Sequence, residues 1–167
     1  MKSQAEIAGH LARSSSPRPQ KGTVLPDVQL LMQGGSTRLL SEVRNRHNLV
    51  MVLTAGHDFN HILDLFNAVD GALNEQNTRV LIITSEAAAL KDSSGELAID
   101  PEFQIHQTLG AVGEDGKPIA TIYITDRFGE VFAILRNGET RALVWNDIIG
   151  WLEFVNQQCD ECSPPEW

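Results

Sequence analysis

Residues 49–73 read LVMVLTAGHDFNHILDLFNAVDGAL. They open on Leu49–Leu53, an apolar run without a polar break, which is the pattern of a strand buried on both faces. A strand with one face in water would alternate instead. Beyond it, Phe59, Ile62, Leu63, Phe66, Val69 and Leu73 recur at spacings of three and four and define one face of a helix. Asp58 stands where it can cap or charge the helix N-terminus. A central strand that turns directly into an amphipathic helix is the beginning of an α/β fold, and the flanking sequence extends it.

Val80–Ile83 is a second buried strand. Toward the N-terminus, Val28–Met32 reads as a short strand, Gly34-Gly35 as a turn, and Arg38–Val43 as a short helix entered at Ser41. Toward the C-terminus, Ser85–Lys91 is Ala-rich and expected to be helical. Pro101 suits the first turn of a further helix ending near Leu109-Gly110. Ile119–Thr125 and Glu130–Leu135 are β-branched or aromatic runs joined by Asp126-Arg127-Phe128-Gly129, a hairpin pattern. A last helix is expected over roughly Asn146–Gln158, with Ile148, Ile149, Leu152 and Val155 on one face. Strands separated by helices and then a hairpin imply a central mixed sheet with helices on both faces.

The chain has 167 residues, 42% hydrophobic and 21% charged, with 13 Lys and Arg against 22 Asp and Glu and a net charge of −9. This is the composition of one folded domain, neither a disordered chain nor a membrane span. An acidic surface repels phosphate backbones and anionic lipid, so neither nucleic acid nor membrane is an expected partner. Residues 1–21, with Ser14-Ser15-Ser16-Pro17, read as a flexible arm without a secretory or anchoring segment, and a cytoplasmic location is expected. Residues 22–158 form the domain and 159–167 a tail. No cofactor motif occurs, and no cofactor is expected.

The order β, βαβα, ββα resembles the thioredoxin fold, and its details resemble the peroxiredoxin and alkyl hydroperoxide reductase branch. The matching residues are Leu25-Pro26-Asp27, Leu49–Ala55 leading into the helix, Asp100-Pro101 through Leu109-Gly110-Ala111, and Thr121–Glu130. The resemblance implies a nucleophilic cysteine at the start of the long helix, where the helix field favours a thiolate. At that place this sequence has Asp58-Phe59-Asn60-His61, and no cysteine occurs before residue 159. Attack on a peroxide or disulfide needs a thiolate, and neither carboxylate nor imidazole replaces it. Ala120 stands where thioredoxin-type members place a cis-proline, which favours the peroxiredoxin branch.

Two groups of residues carry candidate chemistry. His57, Asp58 and His61, in the degenerate active-site turn, could hold a divalent metal or do acid–base work, or could be a cap with two solvated histidines. Asp64 falls on the same side. Whether a metal is held is left open. In the tail, Cys159-Asp160-Glu161-Cys162 could be a redox pair, two ligands of a metal site completed from elsewhere, or an unspecialised end. The enclosed acids and the preceding helix C-terminus both disfavour a fast thiolate. Trp145, Ile148 and Leu152 fit a core-facing stripe, while Trp151 lies off it and is the candidate for an interface, including a homodimer contact. The expectation is a non-canonical redoxin-like protein that binds a protein or small polar ligand. A thiol–disulfide oxidoreductase using Cys159 and Cys162 is the first alternative, and a metal-binding protein the second.

Overall fold

The computed structural model describes residues 18–54, 62, 64, 70–85, 95–136 and 145–158. Its strands are β1 (Gln29–Met32), β2 (Thr37–Leu39), β3 (Asn48–Thr54), β4 (Thr78–Thr84), β5 (Glu96–Ile99), β6 (Thr121–Thr125) and β7 (Val131–Arg136). The helices are α1 (Leu40–Arg44), α2 (Asp70–Glu75), α3 (Gln104–Thr108) and α4 (Trp145–Asn156). The strands form one seven-stranded sheet in the order β2-β1-β5-β4-β3-β6-β7. β4 runs parallel to β3 and β5, while β6 is antiparallel to β3, β7 to β6, and β1 to both β5 and β2.

β3 is central, and every one of its residues is buried. Side chains on a strand alternate between faces, so β3 feeds two cores. Leu49, Met51 and Leu53 join Leu40 and Val43 of α1, Ile105 of α3, and Leu109 and Tyr123 on one face. Val50 and Val52 join Ile62, Leu73 of α2, and Ile148, Leu152 and Val155 of α4 on the other. Helices therefore cover both faces, as the apolar run at 49–53 predicts. The helix expected over 59–73 is described at Ile62 and Asp64 and again from Asp70; Ile62 and Leu73 are buried and Asp64 is exposed. Residues 86–91, expected to be helical, lie outside the described residues.

Three local features differ from the sequence pattern. Arg38 and Leu39 belong to a strand, not to a helix: Leu39 pairs with Gln29 and Arg38 with Leu30, and Arg38 Nη1 reaches Glu96 Oε2 at 2.7 Å. The helix begins after them because Asp27 caps it from upstream, its carboxylate accepting from Ser41 N at 2.9 Å and Ser41 Oγ at 2.8 Å. Second, Glu96–Ile99 is a strand that the sequence pattern did not reveal. It has only four residues, and it is held by pairing with β4 on one side and β1 on the other. Third, Pro101 precedes its helix instead of opening it: Phe103 takes a left-handed φ of 55°, and α3 starts at Gln104.

At the other end of the chain, Trp151 is half-buried against the second core, with Lys21 Nζ 4.6 Å from its ring centroid. The neighbouring Phe154, edge-on to it, is the more exposed ring at 46%. None of the described helices is long and apolar enough to cross a membrane.

Candidate functional site

In an open α/β sheet, ligands bind beyond the carboxyl ends of the parallel strands. Here that edge comprises the end of β3 at Thr54, the end of β4 at Thr84 and the end of β5 at Ile99, which the parallel register places side by side. β6 runs the other way and β7 runs back alongside it in the direction of β3, so Thr121 at the start of β6 and Arg136 at the end of β7 reach the same edge, Thr121 opposite both Leu53 and Arg136.

The residue after β5 organises this edge. Asp100 donates its amide to the Thr84 carbonyl at 2.7 Å, which holds it beside the strand ends. Its carboxylate accepts from Gln104 N at 2.9 Å, from His106 N at 3.0 Å and from the His106 ring Nδ1 at 2.7 Å. Two of these donors are amides at the start of α3 that no helical partner would satisfy, so the carboxylate caps the helix as it pairs with the ring. Burial, the largest influence, pushes the Asp100 carboxyl up. The His106 side-chain bond, the His106 backbone bond, the His106 charge and the Gln104 amide outweigh it and hold the carboxyl below the ordinary carboxylate value.

His106 is fully buried. Its second ring nitrogen, Nε2, lies 3.3 Å from the Thr54 carbonyl oxygen, and Phe103 meets the ring edge-on at 5.4 Å. Both ring nitrogens thus face oxygen atoms, the Asp100 carboxylate on one side and the Thr54 carbonyl on the other. His106 ties the β5–α3 connection to the last residue of the central strand. With both nitrogens engaged and no exposed surface, it works as a brace for the strand end from which residue 55 continues, not as a group that meets a ligand.

Around the brace, the Tyr123 hydroxyl donates to the Leu109 carbonyl. Burial raises the phenol above its ordinary value, with Arg136 and Arg18 opposing. Among the described residues, Thr54 Oγ1 and Arg136 Nε are buried without a hydrogen-bond partner at this edge.

The sequence-derived candidates do not fall on this described layer. His57, Asp58 and His61, which follow Thr54 in the chain, lie outside the described residues, as do Cys159 and Cys162. Asp64 is described and exposed. Among the described residues no cluster of three or more His, Cys, Asp or Glu could hold a metal. Sequence reasoning missed Asp100 and His106. A signal was present: a histidine set between Ile105 and Leu109, both core positions, six residues after an Asp-Pro that precedes a helix.

No family model and no curated protein matches the chain. Solved structures do. A peroxidoxin, BcpB, from Mycobacterium tuberculosis superposes with a TM-score of 0.70 at 18% identity, over 82% of this chain and 98% of that one. Mycobacterium bovis AhpC gives 0.69 at 17% identity, over 91% and 99%. A putative thiol:disulfide interchange protein, DsbE, from Chlorobium tepidum gives 0.66 at 16% identity, over 83% and 99%. At these identities the likeness establishes architecture: the chain has the thioredoxin-like fold of the peroxiredoxins.

Proposed function

We infer that the chain is a redox-related binding or accessory protein built on the peroxiredoxin-like fold, with an active-site turn that no longer performs thiol chemistry. One observation carries this reading: no cysteine occurs before residue 159, so the turn after β3 has no thiolate to offer. The structural neighbours named as peroxidoxin and thiol:disulfide interchange protein support a redox setting. The buried polar layer at the carboxyl edge supports a protein or small polar ligand there, recognised through His57, Asp58 and His61 in the turn that follows. Cys159-Asp160-Glu161-Cys162 favours a second reading, a thiol–disulfide oxidoreductase acting through the tail, because two cysteines at this spacing can close a disulfide.

Insulin reduction by dithiothreitol separates the two readings. The full chain is expected to leave the uncatalysed rate unchanged. Acceleration that disappears in both Cys159→Ser and Cys162→Ser would replace the binding reading with the oxidoreductase. Metal content of the purified chain, measured alongside a native thiol count, checks the metal-binding alternative.

A further inference from the structure

The opposite end of the central strand carries a second cleft. Ser41 and Arg44 of α1, Asn45 and Arg46 of the loop that follows, and Arg127 and Phe128 of the β6–β7 turn enclose about 610 Å³, a volume within the range of small-molecule sites. Leu49 pairs with Thr125, so the α1–β3 loop and the β6–β7 turn meet at the amino end of β3. That strand spans about 20 Å at its usual rise per residue, which separates this cleft from the carboxyl edge.

Three arginines line one cleft in a chain whose net charge is −9. Asp27 and Asp126 act on Arg44, but their carboxylates are engaged in fixing the backbone. Both oxygens of Asp27 accept from Ser41, and Asp126 Oδ1 accepts from Phe128 N and Glu130 N, each at 2.9 Å. Arg44 is set in place by the turn. Gly129, at a φ of 89°, leaves open the space its guanidinium occupies, and a Cβ there would collide with Nη1. Arg44 Nε is buried with no partner among the described residues. Asn45 and Arg46 both adopt left-handed backbone, at φ of 40° and 65°, Asn45 as the C-cap that ends α1. Arg127 lies with its guanidinium carbon 5.0 Å from the Phe128 ring centroid, and that ring is 42% exposed.

We propose that this cleft binds a phosphorylated small molecule, its phosphate held by Arg44, Arg46 and Arg127 and its body laid against Phe128. Planar guanidinium forks match the oxygens of a phosphate. The exposed ring gives an apolar wall that a bare ion would not use.

The test is an amide NMR titration of the full chain with phenyl phosphate, with inorganic phosphate as comparator. Saturable shifts are expected at the amides of residues 44–47 and 126–129, with tighter binding of phenyl phosphate. Arg46→Gln, which removes an exposed side chain, should weaken binding at least about tenfold, as expected for loss of a charge-assisted bond, without changing the melting temperature. Phe128→Ala should bring phenyl phosphate down to the affinity of inorganic phosphate. Absence of saturable shifts up to about 10 mM, a concentration beyond that of useful small-molecule affinity, would overturn the proposal. So would affinity unaffected by Arg46→Gln, or equal affinity for the two probes.

Discussion

Asp100→Ala is expected to destabilise the fold by about 3 kcal/mol or more, because three donors lose their acceptor and each buried donor left unsatisfied costs about 1–3 kcal/mol. The substitution strips the His106 ring of its Nδ1 acceptor and uncovers two amides at the start of α3. Asp100→Asn should cost less, about 1–3 kcal/mol. Its side-chain amide can donate to Nδ1 while the ring still donates from Nε2 to the Thr54 carbonyl, but one acceptor oxygen is gone. Urea unfolding measures both, as a lowered midpoint at unchanged slope. The pH dependence follows from the sign of the shift. The Asp100 carboxyl is held below its ordinary value in the fold, so the unfolded chain binds a proton first as pH falls. Its stabilisation is complete above the ordinary aspartate value of about 3.9 and is lost as pH falls from there through the lower value in the fold. Asp100→Ala should show a shallower fall in stability across that acid window, and an unchanged fall would remove the pair from the account.

Leu53→Ala should be nearly as damaging, at about 2–5 kcal/mol. Leu53 is fully buried on the central strand, between β4 at Ile83 and β6 at Thr121, one residue before the carbonyl that receives His106. Strands on both sides prevent collapse into the cavity, so most of the lost packing stays lost. Leu31→Ser is the control: Leu31 is 44% exposed, and its replacement should stay within about 0.5 kcal/mol. Thermal or urea unfolding of the two variants reads the contrast directly.

The core of this fold was legible because burial on both faces writes itself as an unbroken apolar run. Leu49–Leu53 and Val80–Ile83 carry that signal, and each proved to be a parallel central strand. The helix α4 was legible for a related reason, since Ile148, Leu152 and Val155 fall on one stripe and all three are buried. Where tertiary pairing decides, the pattern was silent. Glu96–Ile99 has too few residues to show a period, and Thr37–Leu39 is a strand because β1 lies alongside and Arg38 reaches Glu96. The brace of Asp100 and His106 was hidden by the same cause. Sequence separation does not announce that the ring will meet the Thr54 carbonyl, which comes from another strand. Conversely, the absence of any cysteine before residue 159 is read directly from the sequence, and the proposed function rests on it.

Peroxide consumption is therefore the most direct test. The reduced full chain, supplied with hydrogen peroxide and a thioredoxin or dithiol reductant, is expected to consume peroxide no faster than a protein-free control, and Cys159→Ser with Cys162→Ser should change nothing. Turnover on the scale of ordinary enzymes, about 1 s⁻¹ or faster, would contradict the proposed loss of thiol catalysis. If that turnover survived both serine substitutions, it would also exclude the tail as its source.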